Sequence, residues 1–137
     1  MTTPNFADAP PLLTDADVVL RVEQLVGPAA ADRTLWIMWV DGDGRQAPVV
    51  MPVEDLPRRP ESDMLDGLAA VLGGLRDELV TDLGSGSVIL TLERLGPDRV
   101  SPDDRTWVDA LATSCERAEM GLRGVFLSTR GGVRRMR

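Results

Sequence analysis

A chain of 137 residues with a formal net charge of −7 contains no histidine, no lysine and a single cysteine, Cys115. The missing imidazole removes the side chain that titrates most readily near neutrality and the commonest metal ligand, and the missing ammonium removes Schiff-base chemistry and the P-loop lysine. The length suits one domain, 43% hydrophobic and 27% charged residues suit a globular one, and no apolar run approaches the roughly 20 residues that cross a bilayer.

Residues 1 to 13, with Pro4, Pro10 and Pro11, read as a flexible N-terminal arm, followed by a single α/β domain over 14 to 130 and an arginine-rich end over 131 to 137. Thr14 and Asp17 form a capping pattern for a first helix whose apolar face is Val18, Val22, Leu25 and Val26 and which Gly27-Pro28 stops. Leu35 to Val40 is apolar on both alternating faces, as expected of a central strand covered on both sides. Asp41-Gly42-Asp43-Gly44 supplies a turn, and Ala47 to Val53 returns as the second strand of a hairpin. After a proline-rich loop, Ser62 is the expected cap of a longer helix with the stripe Met64, Leu68, Val71, Leu72, Leu75 and Leu79 and with Gly73-Gly74 inside it. Ser87 to Leu95 is the third strand. Ser101, Pro102 and Asp104 mark the start of a third helix whose buried stripe is Trp107, Leu111, Cys115 and Ala118 and which Gly121 ends, and Leu122 to Thr129 is the last strand. The order α-β-β-α-β-α-β predicts a mixed sheet layered with helices.

Chemistry-bearing motifs are few. A calcium loop counted from Asp41 would put Arg45 at its fifth position and Pro52 at its twelfth, where carboxylates belong, so the segment reads as a hairpin turn. Gly84-Ser85-Gly86 precedes a strand, whereas phosphate-binding glycine loops follow one. Cys115 lies on an apolar helix stripe with no histidine to activate it, and Trp36 and Trp39 lie in an apolar strand, so all three read as core.

One constellation goes further. From Thr91 the chain reads Thr91-Leu92-Glu93, seven residues, then Ser101-Pro102-Asp103-Asp104, a helix and another strand. This spacing resembles the JAB/MPN metal-dependent fold, in particular its RadC-like branch, whose signature is His-x-His, seven residues, Ser-x-x-Asp on a strand-loop-helix frame; the resemblance spans roughly residues 32 to 130. It implies a JAB/MPN-like α/β fold with a zinc site made by two histidines and the aspartate, and an upstream glutamate as base. In this chain Thr91 and Glu93 stand where the histidines would be, Ser101 and Asp104 match, and Asp32 and Arg33 lie near the expected glutamate. A threonine and a carboxylate do not replace two neutral nitrogen ligands, so the metal site reads as dismantled, with no catalytic residue, no metal and no cofactor expected.

The resemblance therefore implies a non-enzymatic interaction or regulatory module with a protein partner or a second copy of itself, since JAB/MPN proteins without the metal motif commonly act as scaffolding partners. The alternative is an enzyme using Glu93, Asp104 and Ser101 around Mg²⁺ or Mn²⁺. A third reading follows from charge: residues 123 to 137 hold five arginines and no acid, against ten arginines and 22 acids before them. Arg123, Arg130, Arg134, Arg135 and Arg137 are thus candidate anion contacts, with weak nucleic-acid binding at most, on an end expected to be a flexible solvated terminus whose truncation after Thr129 leaves the fold intact. The single cysteine and the lack of an apolar signal or membrane segment set the expectation of a cytoplasmic protein with no membrane partner.

Overall fold

The computed structural model describes residues 9–137, so residues 1 to 8 of the expected N-terminal arm lie outside the described residues. Five strands form one mixed sheet: β1 (Thr34–Val40), β2 (Gln46–Val53), β3 (Ser87–Glu93), β4 (Gly121–Thr129) and β5 (Gly132–Arg135), in the spatial order β2-β1-β3-β4-β5. The β3–β4 pair is parallel and every other pairing is antiparallel. A parallel pair needs a crossover, and the helix α3 (Pro102–Arg117) supplies it. Two further helices, α1 (Asp15–Leu25) and α2 (Ser62–Gly73), complete the layers.

Alternation along the strands sorts the core into two sides. Leu35, Ile37 and Trp39 of β1, Val88, Leu90 and Leu92 of β3, and Val125 and Leu127 of β4 pack with Leu68 and Leu72 of α2 and Trp107 and Leu111 of α3. The intervening Met38, Val40, Ile89 and Phe126 pack instead with Val18 and Val22 of α1. The sheet is thus covered by two helices on one face and one on the other, as the doubly apolar β1 requires. No helix of the described residues is long and apolar enough to cross a membrane.

Local signals explain most element boundaries. Thr14 and Asp17 form a reciprocal capping box at α1, and Gly27 leaves that helix with φ +66°. In the hairpin turn, the Asp41 carboxylate accepts the backbone N–H groups of Asp43 and Arg45 at 2.9 and 3.0 Å.

Four expectations are corrected. Helix α2 is capped at Glu61 without a side-chain bond, because Ser62 is already its first residue. It stops at Gly73 rather than running through the glycine pair; Leu79 is buried from a separate 3₁₀ turn, Asp77–Leu79, and Val71 is 38% exposed. Gly121 does not end α3: Glu119 takes the left-handed conformation there, and Gly121 opens β4. The C-terminal end is not a free terminus, since β5 pairs with β4 from Phe126 to Thr129 and Met136 N–H bonds to Val125 O at 2.7 Å. Truncation after Thr129 would remove an edge strand. Both sheet edges discourage further pairing, β2 through Pro48 and Pro52 and β5 through Arg134 and Arg135.

Candidate functional site

The motif residues lie where β3 ends and α3 begins. Thr91 and Glu93 alternate with Leu90 and Leu92, so their side chains turn toward the α1 layer, while Ser101 and Asp104 belong to α3 on the other side. Thr91 is fully buried opposite Trp36 and Phe126, and its hydroxyl oxygen has no hydrogen-bond partner among the described residues.

Glu93, 5% exposed, is a clamp for the loop that leads into β1. Its Oε2 accepts the N–H groups of Ala30 and Ala31 at 2.7 and 3.0 Å, and its Oε1 accepts the Trp36 indole N–H at 2.9 Å. Burial raises the pKa of this carboxyl, but the donors of Ala30, Trp36 and Ala31 outweigh it and hold Glu93 below its usual value.

Asp104 is engaged just as fully. Arg94 grips it side-on, Nε to Oδ1 at 2.7 Å and Nη2 to Oδ2 at 2.8 Å, and Oδ2 also accepts the Ser101 N–H at 2.8 Å. Ser101 completes the capping box by accepting the Asp104 N–H at 3.1 Å. Burial pushes the Asp104 pKa up, and the Arg94 and Ser101 bonds bring it below the ordinary aspartate value. The remaining Arg94 donors go to the carbonyls of Leu95, Pro97 and Arg99, so one guanidinium folds the whole 94–101 loop around itself.

This donor set does not fit zinc. The oxygens of Glu93 and Asp104 accept N–H groups of their own chain, Thr91 is sealed in the core, and the described residues assemble no group of three metal-ligating side chains. A recess of about 70 Å³, lined by Leu56, Arg94 and Trp107 among others, borders both carboxylates. Cys115 is buried and its thiol is pushed up to about 11 by that burial, so it is no nucleophile near neutral pH.

Outside the recess, the 94–101 loop and the first turn of α3 wall a cleft of about 450 Å³ lined by Arg33, Arg58, Arg94, Arg99 and, as its one carboxylate, Asp103. Sequence reasoning did not group these arginines, because Arg33 precedes β1, Arg58 precedes α2 and Arg99 precedes α3. The one signal was the Arg58-Arg59 pair in the proline-rich loop, which spacing alone cannot aim.

The C-terminal arginines do not gather into one site. Arg123 Nη1 and Arg135 Nη1 both meet Asp15 of α1, at 2.7 and 3.1 Å, and Arg135 also lies over the Phe126 ring at 5.9 Å. First Arg123 and then Arg135 lower the pKa of Asp15. Arg130, Arg134 and Arg137 are exposed. Comparison of the chain with protein-family models, with curated proteins and with solved structures finds no match.

Proposed function

We propose that this chain is a non-enzymatic protein-interaction or regulatory module, built on a JAB/MPN-like frame whose metal positions serve the fold instead of catalysis. The observation that carries the reading is the complete internal use of its two motif carboxylates. Glu93 fastens the loop entering β1 with three N–H donors, and Asp104 fastens the loop entering α3 through Arg94 and Ser101. A catalytic carboxylate must instead present a free oxygen to a metal, a water or a substrate. Its partner is another protein chain or a second copy of this one.

Size-exclusion light scattering together with a bound-metal assay tests this. The expected result is no stoichiometric zinc and no rise in Tm with Zn²⁺, Mg²⁺ or Mn²⁺, because an ion bound only by the native state would raise it. A stable oligomer identifies the partner as a second copy, and a monomer directs the search to another chain. Zinc near one per chain that disappears in Asp104→Ala, or a Tm rise with Mg²⁺ or Mn²⁺ that the same change abolishes, overturns the reading.

A further inference from the structure

The cleft outside the motif carries an inference that goes beyond partner binding and stands whether or not that reading holds. We propose that it is a binding site for a small phosphorylated ligand with two or more negative charges, gripped by Arg33, Arg58 and Arg99.

Three loops distant in sequence each bring one arginine to the wall of the same cavity, which a single carboxylate, Asp103, also lines. Like charges brought together repel, and the carboxylates beside them, Asp32 at Arg33 and Asp103 at Arg58, offset that repulsion only through loose ion pairs. None of the three guanidiniums donates a hydrogen bond to another group among the described residues: Arg33 Nε stands 3.9 Å from Asp32, and Arg58 Nε 3.8 Å from Asp103. Both separations exceed hydrogen-bond length. Arg94 behaves oppositely, because its five N–H donors all serve Asp104 and the loop carbonyls. It fixes the wall and leaves the ligand to the other three. The end of α3 adds little attraction of its own, since Ser101 and Asp104 already cap it.

Shape and charge select the ligand class. A cavity of about 450 Å³ is of small-molecule size, the usual range being about 300–1,000 Å³. A phosphate presents three acceptor oxygens pointing in different directions, which suits guanidinium forks arriving from three loops better than the two in-plane oxygens of a carboxylate. A long polyanion would have to lie along a body of net charge −7, whereas a small one meets a lining in which arginines outnumber the one carboxylate.

Isothermal titration of the full chain with pyrophosphate at low salt is the test, with citrate and a short single-stranded oligonucleotide as parallel probes. Saturable binding of one pyrophosphate per chain is expected, weakened roughly tenfold or more in an Arg33→Gln/Arg58→Gln/Arg99→Gln variant. These arginine side chains donate no hydrogen bond among the described residues and make only loose, exposed ion pairs, so the variant should keep a Tm close to that of the wild type. Asp103→Asn should tighten binding by removing the one repulsive group, and Arg130→Gln/Arg134→Gln should leave it unchanged. The proposal is overturned by an absence of saturable pyrophosphate binding, by tighter binding of citrate or the oligonucleotide, or by equal losses in the two arginine variants.

Discussion

Glu93 offers the sharpest test of how the β3 end is held. In Glu93→Ala the N–H groups of Ala30 and Ala31 and the indole N–H of Trp36 lose a buried charged acceptor, although Ala30 and Ala31 themselves lie at the surface. Hydrogen bonds to a charged group contribute about 1.5–3 kcal/mol each, and three that share one carboxylate are not additive, so the expected loss is about 3–5 kcal/mol out of a typical 5–15. Glu93→Gln keeps one acceptor oxygen but turns an amide NH₂ toward a donor, for a loss of about 2 kcal/mol. The gentler variant also isolates the proton linkage. Because the folded pKa lies below the unfolded value near 4.5, the unfolded chain binds more protons in acid, so the Glu93 contribution is complete above that value and disappears as pH falls through the folded pKa. Urea denaturation of both proteins from neutral pH into acid reads this directly: the wild type should lose stability more steeply than the glutamine variant, with part of the slope remaining from Asp104. Equal midpoints at neutral pH with equal acid slopes would refute the clamp.

Three further outcomes are expected. Ser101→Ala should cost about 1 kcal/mol through the lost bond to the Asp104 N–H and leave pyrophosphate binding intact; loss of binding at unchanged stability would make Ser101 a ligand contact instead. Arg94→Met should cost about 3–5 kcal/mol by stranding the buried Asp104 carboxylate, and the Arg94→Met/Asp104→Leu double variant should recover much of that in chemical denaturation; a double variant no better than the single one would show that the loop carbonyls, not the ion pair, need Arg94. Truncation after Thr129 should lower the urea midpoint markedly, because it deletes β5, uncovers Phe126 and releases Asp15 from Arg135; an unchanged midpoint would mean that β5 contributes nothing.

The parts of the fold that the sequence made legible are those fixed by neighbours along the chain. Capping boxes at Thr14 and Ser101 depend on residues three apart, and the two-sided burial of β1 follows from an unbroken apolar run. The errors arose where a distant group decided the matter. α2 ends at Gly73, and just beyond it Arg76 Nη1 donates to Ala118 O at 2.8 Å, a contact with the far end of α3 that spacing within α2 cannot reveal. β5 has too short and too charged a sequence to read as a strand, and it forms because β4 offers a free edge and Asp15 of α1 offers a carboxylate to Arg135. Composition read the arginines of that end as a cluster, yet the sheet turns Arg123 and Arg135 to the exposed Asp15 of α1.

The candidate site divides along the same line. The spacing from Thr91 to Asp104 correctly pointed to a strand end and a helix start, but not to what the carboxylates do there, because their partners, Ala30, Trp36 and Arg94, lie outside the motif's pattern. Arg94 is the decisive residue. Its guanidinium sets a positive charge against the buried Asp104 carboxylate through two directed bonds. The same side chain spends its other donors on Leu95, Pro97 and Arg99, and in doing so sets the loop that carries Arg99 to the cleft facing Arg33 and Arg58. The interaction that occupies the Asp104 carboxylate thus also shapes the arginine-lined cleft beside it.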